Sequence, residues 1–425
     1  MSTTIMFIGL AVFLAHFLAL QFRRTNVPDV LVLMLLGIAI GPLLGWVSPA
    51  DFGKVGPIIA TIALVVILFE GGTSLDLGTL RASAGTTVLL TLGCFVLTAS
   101  IVASIAIAAF GLELLPALML GATLGGTSSA VVIPLVQSLR LGVKPSTVLV
   151  LESALTDVLC IVAVFALLQA WSQGGVNPGH LIGSVLSAMV FAAVIGVAGG
   201  AGWLLVLARV RGFPNTITAT LAYVFIVYGL TEFLGFSGAI AALSMGITLG
   251  NWQHLGLDRL SRIGGAAARI EPLSREDVSF YREAVFLLKT YFFVYLGISL
   301  RFGDWPLALG ALAMVLVVYA MRLVLVRMVC RGPDFPLRDT AVTAIMAPKG
   351  LAAAVLATLP LQNGVPGGET IRDVAYLVVL ASITLTALLV VALQWPRVQA
   401  GMGRLLGKVP DTAPPPPEPP EPAGR

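Results

Sequence analysis

The stretch from Leu149 to Val164, LVLESALTDVLCIVAV, decides how the rest of the chain is read. It places Glu152, Ser153, Thr156 and Asp157 within six residues, in a segment otherwise apolar enough to sit in a bilayer. At ~100° per residue, Ser153, Thr156 and Asp157 share one helix face and Glu152 flanks it. An acid in hydrocarbon costs at least ~2.5 kcal/mol by insertion scales unless it is paired, protonated or turned to a wet cavity. The segment therefore reads as a site that handles cations or protons. A buried salt bridge that only locks two helices together is the alternative, and it suits Glu152 better than Asp157.

The whole composition agrees with a membrane setting. Of 425 residues, 58% are hydrophobic and 11% charged, whereas soluble chains carry roughly 25% charged residues. This is a polytopic membrane protein. Its first apolar run, Ile5 to Phe22, has no basic residue before it and Arg23 and Arg24 after it, the wrong polarity for a cleaved signal; it reads as a retained span with its N-terminus outside. Cys94, Cys160 and Cys330 lie far apart in apolar runs, and His16, His180 and His254 are isolated. No disulfide framework, resident metal or cofactor is expected. The net charge of +4 is modest, and no nucleic-acid partner is implied. Without a Ser/His or HExxH arrangement, nothing suggests an enzyme.

Apolar runs that can cross the bilayer, which takes ~20 residues each, predict thirteen spans: 4–22, 28–46, 56–73, 84–110, 116–138, 147–171, 181–207, 215–233, 236–250, 283–300, 306–326, 339–359 and 373–395. With the N-terminus outside, nineteen of the 25 basic residues fall in cytoplasmic segments, as the positive-inside rule expects. The C-terminus is then cytoplasmic. Residues 251–282 read as a cytoplasmic amphipathic linker between two halves, and 410–425, PDTAPPPPEPPEPAGR, as a disordered Pro-rich tail.

The halves echo one another. Gly37 and Gly41 in span 2 match Gly246 and Gly250 in span 9, while Gly72-Thr-Ser-Leu75 in span 3 matches Gly297-Ile-Ser-Leu300 in span 10. Both pairs are seven spans apart, an odd number, so the repeats would be inverted, as in many secondary transporters. Span 5 holds Gly125-Gly126-Thr127-Ser128-Ser129, and span 12, seven further on, holds Ala347-Pro348-Lys349-Gly350. Both predict helices broken at mid-membrane, where half-helix ends supply partial charges and free carbonyls; ordinary Gly/Pro kinks are the alternative.

Other charges expected within the membrane are Glu70 and Arg322, with Lys349 in the break. Lys289 is expected to snorkel to the cytoplasmic interface, and Glu232 to sit at the outer edge of span 8. Glu70, Glu152 and Asp157 against Arg322 and Lys349 leave one carboxylate uncompensated, a seat for one monovalent cation or one proton. Such an acid gains from being neutralised by either, so the two compete.

These residues resemble a known family. Glu152-Ser-Ala-Leu-Thr-Asp157 with Val158-Leu-Cys-Ile-Val162 is similar to the E-S-x-x-N-D-x-x-x-I-V motif of monovalent cation/proton antiporters of the NhaP type. Phe69-Glu-Gly-Gly72 resembles their F-E-G-G, Pro28 to Pro42 their second-span Gly/Pro pattern, and Met346 to Leu351 their G-P-[RK]-G. The resemblance covers spans 2 to 13. It implies an all-α fold of about 13 helices with inverted repeats and two broken helices crossing at mid-membrane. It also implies a homodimer in the cell (inner) membrane, surrounded by lipid, that exchanges Na⁺ or K⁺ for H⁺ by alternating access and serves pH homeostasis. The antiporter domain would cover 1–409, with interface helices at roughly 4–73 and 215–300 and a moving transport bundle at roughly 84–171 and 306–395.

Carried over, Asp157 would bind cation or proton, with Ser153, Thr127, Ser128, Thr156 and Glu70 near the ion. Glu152 would pair with Arg322, and Lys349 would compensate broken helix ends. Ser128 stands where the family often has Asp, and Thr156 where it has Asn. The Thr-Ser-Ser run is closer to potassium/proton antiporters, which leaves Na⁺ and K⁺ both open. The rival expectation is a channel or ion-coupled symporter for a small organic anion, held by half-helix N-termini.

Overall fold

The computed structural model describes residues 28–52, 55–75, 84–172, 178–209, 216–257, 273 and 275–408, with Gly9, Phe13 and Phe17. Most of the first predicted span, most of the 251–282 linker and the 410–425 tail lie outside the described residues. The remaining described chain is helical. Helix α1 (Asp29–Ile38) runs into a π turn (Ala39–Leu43); then follow α2 (Val55–Ser74), α3 (Ala84–Phe110), α4 (Leu114–Leu124), α5 (Ser129–Leu139), α6 (Val143–Ser172), α7 (Pro178–Arg209), α8 (Thr216–Phe233) and α9 (Gly238–Gly250). After the linker come α10 (Arg275–Ser299), α11 (Trp305–Val329), α12 (Leu337–Ile345), α13 (Leu351–Leu356), α14 (Thr358–Gln362), α15 (Gly368–Ala392) and α16 (Pro396–Leu406).

Each predicted span from the second to the thirteenth coincides with a helix or a group of short helices. Six helices among the described residues are long and apolar enough to cross a membrane by length and composition. They are apolar on every side rather than on one stripe. Side chains such as Leu89, Val190, Leu309 and Leu316 stay at least half exposed, an apolar belt suited to lipid.

Two expectations need correction. Helix α10 starts at Arg275 rather than at residue 283, because Glu276 and Asp277 in its first turn favour a helix start there. Helix α16 was not anticipated: Pro396 starts it, Gly407 at φ +67° ends it, and Leu406 and Gly403 are buried. Its Lys408 amine donates to Thr340 Oγ1 at 2.8 Å and to the Phe335 carbonyl, tying this amphipathic helix to α12.

Helices α3, α4, α5, α6, α11, α12, α13 and α15 pack mainly on one another, and α1, α2, α7, α8, α9 and α10 form a second group, with sparser contacts between the groups. In the second group the glycine repeat explains the packing. A Cβ on Gly37 would meet the Val294 carbonyl and Gly297 Cα, and one on Gly41 would meet Ile298. Likewise, a Cβ on Gly246 would meet the Phe69 carbonyl and Thr73 N, and one on Gly250 would meet Thr73. Under the repeat, Gly37 corresponds to Gly246, Gly41 to Gly250 and Gly297 to Gly72. The α1–α10 crossing is therefore the α9–α2 crossing repeated, which is the contact pattern of a two-fold related inverted repeat.

Both crossings bring backbone against backbone, so a side chain there has nowhere to go. Gly37→Val is expected to cost about 1–3 kcal/mol, the overpacking range, and Gly246→Val a similar amount. Thermal unfolding of the detergent-solubilised variants checks this; an unchanged midpoint for both would show that the crossings do not set the packing distance.

Candidate functional site

The first group of helices is interrupted at its centre. Helix α4 stops at Leu124 and α5 starts at Ser129; helix α12 stops at Ile345 and α13 starts at Leu351. The two gaps meet. The Ser128 N–H donates to the Pro348 carbonyl at 2.7 Å, and a Cβ on Gly350 would fall on the Ser128 hydroxyl. Gly126 is packed so closely on α6 that a Cβ would meet Cys160 Sγ and the Thr156 carbonyl. Glycine is required at these two positions by close approach, not by φ.

Helix α6 passes beside this crossing and carries the Leu149–Val164 stretch. Glu152, Ser153 and Thr156 are fully buried, at 0% exposure each, whereas Asp157 keeps accessible surface. The Asp157 carboxylate accepts one hydrogen bond, from Ser129 Oγ at 3.1 Å. Among the described residues no Lys or Arg forms an ion pair with it. Ser129 is the first residue of α5, so the acid faces the partially positive N-terminus of a half-helix.

The predicted hydroxyl residues divide into different jobs. Thr156 Oγ1 accepts from the Thr127 N–H at 3.1 Å and lies 3.4 Å from Thr127 Oγ1, binding the break to α6. It donates to the Ser153 carbonyl at 3.1 Å. The Ser153 hydroxyl donates to the Val150 carbonyl at 2.9 Å, along its own helix. Ser128 joins the two breaks through its backbone. The hydroxyl that touches the acid is that of Ser129, which the sequence reading counted in the run but did not single out; its position as first residue of the half-helix was the available signal.

The Glu152–Arg322 pair is present. Arg322 donates Nη1 and Nη2 to the two Glu152 oxygens at 2.5 and 2.8 Å, a fork-to-fork geometry. Its Nε donates to the Thr343 carbonyl at 3.1 Å, and Nη1 also reaches Cys94 Sγ at 3.2 Å. Lys349 is equally buried, at 3% exposure, but its ammonium donates to the Gly126 carbonyl at 2.8 Å. A cation at the carbonyl end of α4 offsets the negative end of that half-helix.

Two further charges fall differently from the sequence expectation. Lys289 does not reach the interface: it is 9% exposed and its Nζ lies 2.9 Å from Asp29 Oδ2, joining α10 to α1. Asp29 was missing from the charge count, and this pair adds nothing net to it. Glu70 sits on α2 in the other group, where Oε1 accepts from Ser74 Oγ at 3.2 Å and lies 4.0 Å from Arg282 Nε. These contacts place it with Ser74 and Arg282 rather than with Asp157.

A membrane-embedded helical scaffold with a two-fold repeat, two broken helices crossing at its centre and, beside them, an acid with no cationic partner among the described residues defines a secondary-transporter architecture. The profile of the family described as "Sodium/hydrogen exchanger, transmembrane" matches residues 9–393, and the chain belongs to that family. It is 23% identical over 364 residues to the K(+)/H(+) antiporter NhaP2 of Shewanella oneidensis, covering 83% of this chain and 60% of that protein. It is 27% identical over 395 residues to the K(+)/H(+) antiporter NhaP of Alkalimonas amylolytica, covering 90% and 64%. The chain thus spans less than two thirds of the length of these relatives. The Na(+)/H(+)-K(+) antiporter GerN of Bacillus cereus is 23% identical, covering 85% of this chain and 88% of that one. The structure of the sodium proton antiporter MjNhaP1 from Methanocaldococcus jannaschii superposes with a TM-score of 0.74 at 21% identity, over 91% of this chain and 99% of that chain. The fold is therefore that of a multi-pass membrane protein of this family.

Proposed function

We propose that the protein is a secondary antiporter that exchanges Na⁺ or K⁺ for H⁺ by alternating access. The observation that carries this reading is Asp157. It is an acid in mid-membrane with no cationic partner among the described residues, one hydroxyl donor and residual accessibility, beside two crossing helix breaks. Hydroxyl and carbonyl oxygens suit hard monovalent cations. Either a proton or such a cation neutralises Asp157, so occupancy by one displaces the other. Thr127, Ser128, Ser153 and Thr156 shape this seat, with Ser129 added as the direct partner of the acid. Glu70 acts outside it.

The helices around the crossing form the transport bundle, and α1, α2 and α7 to α10 the fixed body, through which two copies associate as a homodimer. The family match favours antiport over the organic-anion symporter or channel. The basic residues assign the Arg140 and Lys144 end of α6 to the cytoplasm of the cell (inner) membrane. Reconstituted protein tests the function: adding Na⁺, K⁺ or Li⁺ in turn should drive proton flux with at least one of them, and no flux with any would refute antiport.

One exchangeable acid implies one cation for one proton. Glu152 is engaged by both amino groups of Arg322 and Lys349 by the Gly126 carbonyl, which leaves Asp157 as the exchangeable group in this reading. The initial rate should then be the same at opposite clamped potentials. A site carrying two protons per cation would instead feel ~2.3 kcal/mol per charge per 100 mV, and a several-fold rate difference would exclude the one-for-one exchange.

A further inference from the structure

Beyond Asp157, α6 continues to Ser172 and borders a cavity of about 360 Å³. Its walls come from both helix groups: Val162, Gln169 and Ser172 on α6 face Glu232 at the end of α8, Ser237 before α9, and Asn363 after α14. Val162 is five residues, under two turns, from Asp157. The cavity lies at the end of α6 away from Arg140 and Lys144. Among the described residues, Glu232 is the one charged side chain that lines it.

Glu232 has a structural task, since its Oε1 accepts from the Gly238 N–H at 2.7 Å at the start of α9. That task does not need a charge. The α9 N-terminus is already capped by Ser237, whose hydroxyl accepts from Ile240 N at 3.4 Å, and a neutral amide oxygen at 232 could accept from Gly238 equally well. The second carboxylate oxygen makes no hydrogen bond among the described residues, and the side chain is exposed. An ionised carboxylate, fixed by one oxygen at the rim of a cavity with neutral oxygen donors and apolar walls, raises the local concentration of cations.

We propose that this cavity is the access route for monovalent cations from the outer face, and that Glu232 is its electrostatic collector, a residue that sets cation affinity from that side without touching the seat at Asp157. The inference rests on the antiport reading for its direction and its cargo. The separation of walls between the two helix groups means that the cavity changes shape whenever one group moves against the other.

Two measurements on full-length protein in proteoliposomes test it. Ser172→Cys places a thiol in the cavity, while the native cysteines are buried. Its reaction from the outer face should favour a cationic over an anionic methanethiosulfonate, and Glu232→Gln should lower that ratio by a factor on the order of 10. A ratio unmoved by Glu232→Gln, at an unchanged melting temperature, overturns the proposal whether or not the protein transports. In exchange assays, Glu232→Gln should raise the KM for the cation at the outer face several-fold, with the rate at saturating cation and the inner-face KM preserved. An equal rise at both faces overturns the proposal, because a structural role would do that. A fallen reagent ratio in a protein that exchanges no cation would support the collector and refute the antiport reading alone.

Discussion

Asp157→Asn is expected to abolish cation-driven proton flux while leaving a folded protein. The amide keeps the volume of the side chain and can still accept from Ser129 Oγ, which in the parent lies 3.1 Å from the carboxylate. What is lost is the ability to exchange a proton for a cation. Since no cationic partner of Asp157 among the described residues is left unpaired by the change, no large stability loss accompanies it. Flux in proteoliposomes should fall at least tenfold, corresponding to about 1.4 kcal/mol or more of lost transition-state stabilisation. Retained flux above about a tenth of the parent rate would show that another group carries the proton.

Glu152→Ala should do the opposite, damaging the fold before the chemistry. Arg322 is 2% exposed, and four of its contacts are defined, two of them to Glu152. Removing the acid strands a guanidinium in a medium where it cannot be solvated, at a cost of roughly 3–5 kcal/mol for a truly buried pair. The double change Glu152→Ala with Arg322→Ala should recover part of this loss, because the stranded charge is gone and only the cavity remains. Unfolding midpoints of the parent, both single variants and the double variant in detergent form the cycle. A double variant no more stable than the worse single would mean that the pair is not the stabilising unit.

Much of this fold was legible because the bilayer forces it. Spans must be long, apolar and helical, so hydropathy located the described helices from α1 to α15, and the odd seven-span offset of Gly37 and Gly246 exposed the inverted repeat. The Glu152–Arg322 pairing was implied by the family resemblance, and it agrees with the gain that two opposite charges in hydrocarbon make by finding each other. Legibility failed where the deciding information is which way a side chain turns. Ser128, Ser129, Ser153 and Thr156 are chemically alike in the sequence, yet only the Ser129 hydroxyl touches the acid, and that depends on where α5 begins. Lys289 looked free to snorkel because its partner Asp29 lies 260 positions away on another helix. Helix α16 escaped notice because it is amphipathic and short, and it is fixed by Lys408, a contact no periodicity reveals.

The central claim is that one carboxylate, Asp157, seats either a proton or a cation. Proton release on cation binding tests it most directly. Purified protein in weakly buffered detergent, titrated with Na⁺ or K⁺ at a pH where the acid is protonated before addition, should release close to one proton per bound cation, and Asp157→Asn should release none. Cation binding without proton release, or release undiminished in Asp157→Asn, would contradict it.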